Sequence, residues 1–127
     1  MKTEIQTSIQ ELQRQFPETV ISTRDDGSGG AYVTLTAIAL GVRYTPSSTW
    51  MGFHIPPLYP YADIYPVFIG SEVRRSDGQA FVPPVTYGAT FEGRAAIQVS
   101  RRSSAAQQGL QKAATKVLKV LDFLEKL

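Results

Sequence analysis

Apolar residues first recur at helical spacing. Ile5, Ile9, Leu12 and Phe16 lie four, three and four apart, which places them on one stripe of an α-helix and turns Lys2, Glu4, Gln6, Gln10 and Arg14 outward. Thr3 and Gln6 have the spacing of a capping box, and Pro17 predicts the helix end because the residue before a proline is driven from the helical region. The period then changes to two. Thr19 to Arg24 and Ala31 to Leu40 alternate, with Val33 and Leu35 on one face and Tyr32 and Thr34 on the other, around the turn Asp25-Asp26-Gly27-Ser28-Gly29-Gly30. This predicts a hairpin. The turn has no Lys-Ser or Lys-Thr at phosphate-loop spacing, so its glycines read as turn residues and its aspartates as turn formers.

After a loop around Pro46, Trp50 to Ile55 and Ile64 to Ile69 supply two further strands, joined through Pro56, Pro57, Pro60 and Pro66. Each proline fixes a backbone angle and removes a donor, so the chain must leave the sheet after Ile55 and re-enter near Pro66. Tyr59, Tyr61 and Tyr65 in this corner can bury a ring and keep a hydroxyl wet. Gly70 to Gly93 reads as a long irregular connection, and Ala95 to Ser100 as a short extended or turn segment. From about Ala105 to Leu127 a second helix follows, capped by Ser103 or Ser104, with Leu110, Ala114, Val117, Leu121 and Leu124 as its stripe. Lys112, Lys116 and Lys119 fall on another face. The expected architecture is α+β: an N-terminal helix, a four-stranded antiparallel meander, a long irregular crossing and a C-terminal helix, in one domain spanning residues 1–127.

Composition narrows the classes. A chain of 127 residues, 43% hydrophobic and 19% charged, can bury a core without staples and is neither disordered nor membrane-spanning in character. No apolar run approaches a membrane span, and the first ten residues lack the apolar stretch of a signal peptide, which implies a cytoplasmic location. There are no cysteines, so thiolate, disulfide and zinc-thiolate chemistry are all excluded. A net charge of +2 is too weak to imply nucleic acid, and Arg74-Arg75, Arg101-Arg102 and the three helix lysines read as wet surface. His54 is the single histidine and has no partner for a metal; a hydrogen-bonded strand histidine is the simplest reading. Ser100, Ser103 and Ser104 lack a neighbouring base.

The run Phe53, Ile55, Pro56, Tyr59, Pro60, Pro66, Val67, Phe68 resembles the middle of ubiquitin-conjugating enzymes. There a strand reading F-x-I is followed by P-x-x-Y-P, a further proline and the next strand. The expected element order is similar to that fold and to its non-catalytic RWD-type relatives. In the family the nucleophilic cysteine lies in Gly-x-Ile-Cys-Leu, which corresponds here to Gly93, Arg94, Ala95, Ala96 and Ile97, so Ala96 stands at the cysteine's place. The His-Pro-Asn signature falls on Thr86, Tyr87 and Gly88 and matches none of them. A methyl group cannot form a thioester.

The resemblance therefore implies a non-catalytic member of a prokaryotic ubiquitin-like modification system. Its partners would be a ubiquitin-like protein, an activating enzyme or another conjugating subunit, docked through Lys2, Glu4, Gln6, Gln10, Arg14, Tyr59 and Tyr61. One alternative is an active conjugating enzyme with a native cysteine at position 96; another is an RWD-like structural adaptor. No cofactor, metal, nucleic acid or membrane is expected. The resemblance further requires that residues 50–69 form two neighbouring antiparallel strands and that residue 96 lie beside the groove at the proline corner.

Overall fold

The computed structural model describes residues 1–127. Helix α1 (Thr3–Gln15) precedes a hairpin of β1 (Ile21–Asp25) and β2 (Ala31–Ala39). A two-residue strand β3 (Tyr44–Thr45) leads to β4 (Ser48–Ile55). After the proline corner come β5 (Val67–Gly70), β6 (Arg74–Arg75), β7 (Val85–Phe91) and β8 (Arg94–Val99). A short 3-10 helix (Ser104–Gln108) and helix α2 (Ala113–Glu125) follow. No helix is long and apolar enough to cross a membrane.

The fold is α+β, but its sheet is larger than expected. Six antiparallel strands run in the order β1-β2-β4-β5-β8-β7, and β3 pairs with β6 in a separate ribbon. Strands β4 and β5 are antiparallel neighbours, with Met51 opposite Ile69 and Phe53 opposite Val67. The stretch expected as an irregular crossing contains β6 and β7, and the expected short segment at Ala95 is β8, an inner strand. The pattern hid them for a physical reason. On the edge strand β7, Thr86, Tyr87, Gly88 and Thr90 are all exposed and the register slips between Thr86 and Ala89, so apolar alternation never develops.

Both helices cover one face of the sheet. Ile5 and Leu12 of α1 and Val117, Val120 and Leu124 of α2 share a core with Val33, Leu35, Met51, Phe53, Ile55, Val67, Ile69, Ile97 and Val99. These strand residues occupy one side of the pleat, as period-two alternation dictates. At about 1.5–3 kcal/mol for each fully buried aliphatic or aromatic side chain, this shared core is the main favourable term holding the layers together.

The opposite face carries a smaller aromatic cluster. Trp50, Phe91 and Ala96 form a second cluster flanked by Tyr32, Phe68 and Ala89. Gly52, with no side chain, leaves the space that the Phe91 ring fills, and a Cβ there would overlap that ring. The β7–β8 turn at Glu92 and Gly93 has positive φ at both residues (50° and 79°), the geometry of a two-residue hairpin loop. It carries Glu92 to Arg24 on β1, whose Nε and Nη2 each donate at 3.0 Å. Arg94 stacks over Trp50, 4.3 Å from the ring centroid.

Helix ends depart from expectation in three places. Lys2, not a side-chain cap, precedes α1, and Thr3 lies inside the helix, so no capping box forms; Gln6 Nε2 donates instead to the Met1 carbonyl. The single C-terminal helix is broken at Gly109, which takes a left-handed conformation (φ 68°) with the Tyr61 ring packed where a Cβ would stand. Ser103 does cap, but caps the 3-10 helix, its Oγ accepting from Ala105 N–H. The buried stripe of α2 accordingly shifts to Ala113, Lys116, Val117, Val120 and Leu124, leaving Leu110 exposed and placing Lys116 inside.

Candidate functional site

Residues 56–66 cross the ends of both helices and are tied to each by polar contacts. The Tyr59 ring is buried and its hydroxyl lies 2.8 Å from Ser8 Oγ on α1. Ser8 Oγ also accepts from the first amide of α2, Ala113 N–H, at 3.4 Å. Lys2 Nζ donates to the Pro57 carbonyl at 2.7 Å. On the other side of the corner, Asp63 accepts from Ser103 N–H at 2.8 Å and from Lys116 Nζ at 3.2 Å. Lys116 also donates to the Arg101 carbonyl, and it is only 3% exposed. Burial pushes its ammonium below the usual lysine range, with Asp63 acting in the opposite direction. Arg102 lies over the Tyr65 ring at 4.0 Å.

Between α1, the corner and the entry to α2 is an open groove of ≈ 370 Å³, near the lower end of the size that holds small ligands or peptide segments. Thr3, Thr7, Glu4 and Glu11 line it on α1; Gln111 and Lys112 line it on the opposite side. Neither Glu4 nor Glu11 is in an ion pair. Gln111 is 4% exposed and its Nε2 is buried without an acceptor, a costly state for an amide. Lys112 supplies no side-chain cap to α2, and the first turn carries no acidic residue. The Ala114 and Thr115 amides accordingly have no acceptor within the protein. Three large apolar side chains, Leu58, Tyr61 and Leu110, are exposed in the corner and the segment that precedes α2.

Of the residues expected to bind partners, the structure brings Glu4 and Tyr59 together in this groove, and Tyr61 stands beside it against Gly109. Lys2 is held at the corner, Gln6 is turned back to Met1, and Gln10 and Arg14 are exposed on α1 outside the groove lining. Pro60 lines the groove, Pro56 begins the corner by accepting from Tyr59 N–H at 3.0 Å, and Pro66 immediately precedes β5. Glu11, Gln111 and Lys112 were not anticipated. The signal for Gln111 and Lys112 was Gly109, a helix breaker inside an otherwise helical pattern two residues before them.

The expected catalytic positions lie elsewhere. Ala96 is 1% exposed and pairs with Gly70, at the end of β5 away from the proline corner, in the cluster with Trp50 and Phe91. It is therefore not beside the groove at the corner. Thr86, Tyr87 and Gly88 are exposed on edge strand β7, where the Tyr87 hydroxyl accepts from Phe81 N–H at 2.7 Å.

His54 is hydrogen-bonded, its Nε2 2.7 Å from Asp26. Asp26 also accepts from Ser28 and Gly30 N–H, and the His54 contact first, then the Ser28 amide, holds its carboxyl below the usual range. This locks the glycine-rich turn, as the aspartate's position implied. Several of the basic residues are engaged locally: Arg75 pairs with Asp77, Arg101 stacks on Phe123 and Arg102 on Tyr65. Residues of metal-ligating type form no group of three or more placed to hold an ion.

Compared with protein-family models, with curated proteins and with solved structures, the chain gives no match.

Proposed function

We propose that this chain is a non-catalytic, ubiquitin-conjugating-like binding domain of a prokaryotic ubiquitin-like modification system. It docks a ubiquitin-like protein, an activating enzyme or a conjugating subunit at the groove between α1 and the proline corner. The observation that carries the reading is the corner itself. A strand, a proline- and tyrosine-rich elbow that exposes Leu58 and Tyr61, and an adjacent antiparallel strand stand in the order the resemblance requires. Residue 96 does not stand beside the corner as the resemblance also requires, so the reading rests on the elbow alone. Exposed aromatic side chains suit a protein interface.

The burial of Ala96 bears on the alternative of an enzyme with a native cysteine at that position. A thiol on that Cβ would be enclosed in the Trp50–Phe91 cluster, with no exposed path for an incoming carboxyl group, and it would lie away from the corner. Thioester exchange needs an accessible thiolate. This favours recognition over covalent transfer, and the same geometry suits the RWD-like adaptor reading.

A pull-down against the ubiquitin-like protein and activating enzyme encoded beside this gene tests the proposal, with the wild-type chain and Ala96→Cys compared. Binding by both forms without an adduct is expected. A thioester on the Ala96→Cys chain would restore the enzyme reading, and no binding by either form would remove the modification-system reading.

A further inference from the structure

We propose that β1 is an open sheet edge that pairs antiparallel with the β1 of a second copy of this chain, joining two six-stranded sheets across a two-fold axis. β1 contributes nothing to the groove at the proline corner. The direction of its backbone groups is fixed by its ladder with β2. Asp26 N–H donates to the Gly30 carbonyl at 3.2 Å and Thr36 N–H to the Val20 carbonyl at 3.0 Å, one bond at each end of that ladder. Between two such bonds an antiparallel strand alternates, one residue bonded to its neighbour and the next facing away. Val20, Ser22, Arg24 and Asp26 therefore turn their backbone groups to β2, and Ile21, Thr23 and Asp25 turn theirs outward. β1 has no strand neighbour other than β2, and no loop backbone reaches the amides or carbonyls of those three residues. Ser22, Thr23, Arg24 and Asp25 are all exposed.

The two edges of the sheet differ. A regular free edge recruits another strand, and natural sheets blunt it with a bulge, a proline, a lysine or a free charge. β7, the opposite edge, is blunted: its register slips between Thr86 and Ala89, and Gly88 sits inside it at φ 80°. β1 has no such device. All five of its residues stay in register with β2, and none is proline or lysine. Its two charges are engaged within the chain, Arg24 on Glu92 and Asp25 on the Met1 amino group. With one open edge, pairing closes as a two-fold dimer, whereas a β1-to-β7 contact would propagate as a filament.

The order of residues in β1 selects one register with its own copy. An axis at Thr23 sets Thr23 against Thr23, Ile21 against Asp25 and Ser22 against Arg24. Every outward group is then used, for about six backbone hydrogen bonds at two per facing pair, and Thr–Thr is a favourable cross-strand pair. An axis at Arg24 or Asp25 sets like charges face to face. An axis at Ile21 or Ser22 carries Asp25 past the start of the other copy's strand. Paired strands of this length bury less than the about 1,200–2,000 Å² of standard interfaces, so the dimer is weak and dependent on concentration.

Sedimentation equilibrium up to millimolar chain, with amide exchange read by NMR on the same samples, tests this. A monomer–dimer equilibrium is expected. As concentration rises, the Ile21, Thr23 and Asp25 amides should slow in proportion to the dimer fraction, while Ser22 and Arg24, already bonded to β2, stay unchanged. Thr23→Pro removes an N–H that points away from β2, so it should leave the melting temperature nearly unchanged and weaken the dimer about tenfold or more. Ser22→Glu places a carboxylate opposite Arg24 of the second copy twice over and should tighten the dimer about threefold or more at low salt. It tests the register even where Thr23→Pro fails to fold.

A chain that sediments as a monomer at millimolar concentration overturns the proposal. So does a dimer in which the three outward amides gain no protection, or one that Thr23→Pro leaves as tight as wild type. A dimer not tightened by Ser22→Glu overturns the Thr23 register, and growth beyond the dimer overturns the closed two-fold pairing. A monomeric chain whose three outward amides are protected only by an added extended peptide would assign the edge to a different protein's strand and overturn the second copy as its occupant.

Discussion

Asp63→Ala should expose how the proline corner is held. In the wild type the Asp63 carboxylate faces Lys116 Nζ at 3.2 and 3.3 Å, and Lys116 has only the Arg101 carbonyl besides. Removing the carboxylate leaves an ammonium in a site whose side-chain exposure is 2%. Breaking a buried pair from one side costs about 3–5 kcal/mol. A ceiling comes from proton release, because neutralising a lysine of ordinary pKa at pH 7 costs about 5 kcal/mol and at pH 9.5 only about 1 kcal/mol.

The penalty should therefore be about 3–5 kcal/mol at pH 7 and roughly 2 kcal/mol at pH 9.5, the remainder being the orphaned Ser103 amide and residual neutralisation. The wild type has a related signature. Its Lys116 pKa is lowered by burial, so the unfolded chain binds more protons between the folded value and about 10.5, and stability rises with pH across that window. Urea denaturation at the two pH values measures both. Asp63→Ala/Lys116→Met, which removes both charges, should recover most of the loss. A cost below about 1 kcal/mol at pH 7, or an equal cost at both pH values, would refute the account of a buried charge in need of a partner.

Three further outcomes follow from the geometry. Gly52→Ala should cost about 1–3 kcal/mol by overpacking against Phe91 and should shift Trp50 fluorescence, because the aromatic cluster must move; an unshifted spectrum with unchanged stability would contradict the packing described. Asp26 has a lowered carboxyl pKa, so its contribution is present above the ordinary aspartate range and lost as pH falls through the lower folded value; Asp26→Asn should flatten the acid side of a melting-temperature profile between pH 5 and 2. Ser8→Ala removes the bridge between Tyr59 and Ala113 and should cost about 1–3 kcal/mol in a thermal melt, more than Thr7→Ala on the exposed side of the same helix.

Much of the fold was legible because local pattern and tertiary role agree. Ile5 and Leu12 kept their helical stripe, Val33 and Leu35 their face, and four prolines forced the chain out of the sheet between β4 and β5. Legibility failed where tertiary pairing supplies what the pattern lacks. β8 begins with Arg94, Ala95 and Ala96, residues of weak strand preference, and becomes an inner strand because β5 and β7 flank it. Lys116 looked like wet helix surface because nothing local announces Asp63 from 53 residues away. The groove was half visible. Glu4, Tyr59 and Tyr61 could be placed on an outward helix face and a corner, whereas Gln111 and Lys112 matter only because Gly109 ends one helix and starts a new one.

The two weaknesses at that helix break are related. A continuous helix from Ser104 would bury the α2 amides in its own ladder and leave no free N–H end. Gly109 breaks it by taking a left-handed conformation, and the Tyr61 ring of the corner packs where any Cβ would stand. That same corner is fastened on both sides, by Ser8 to α1 and by Asp63 to α2.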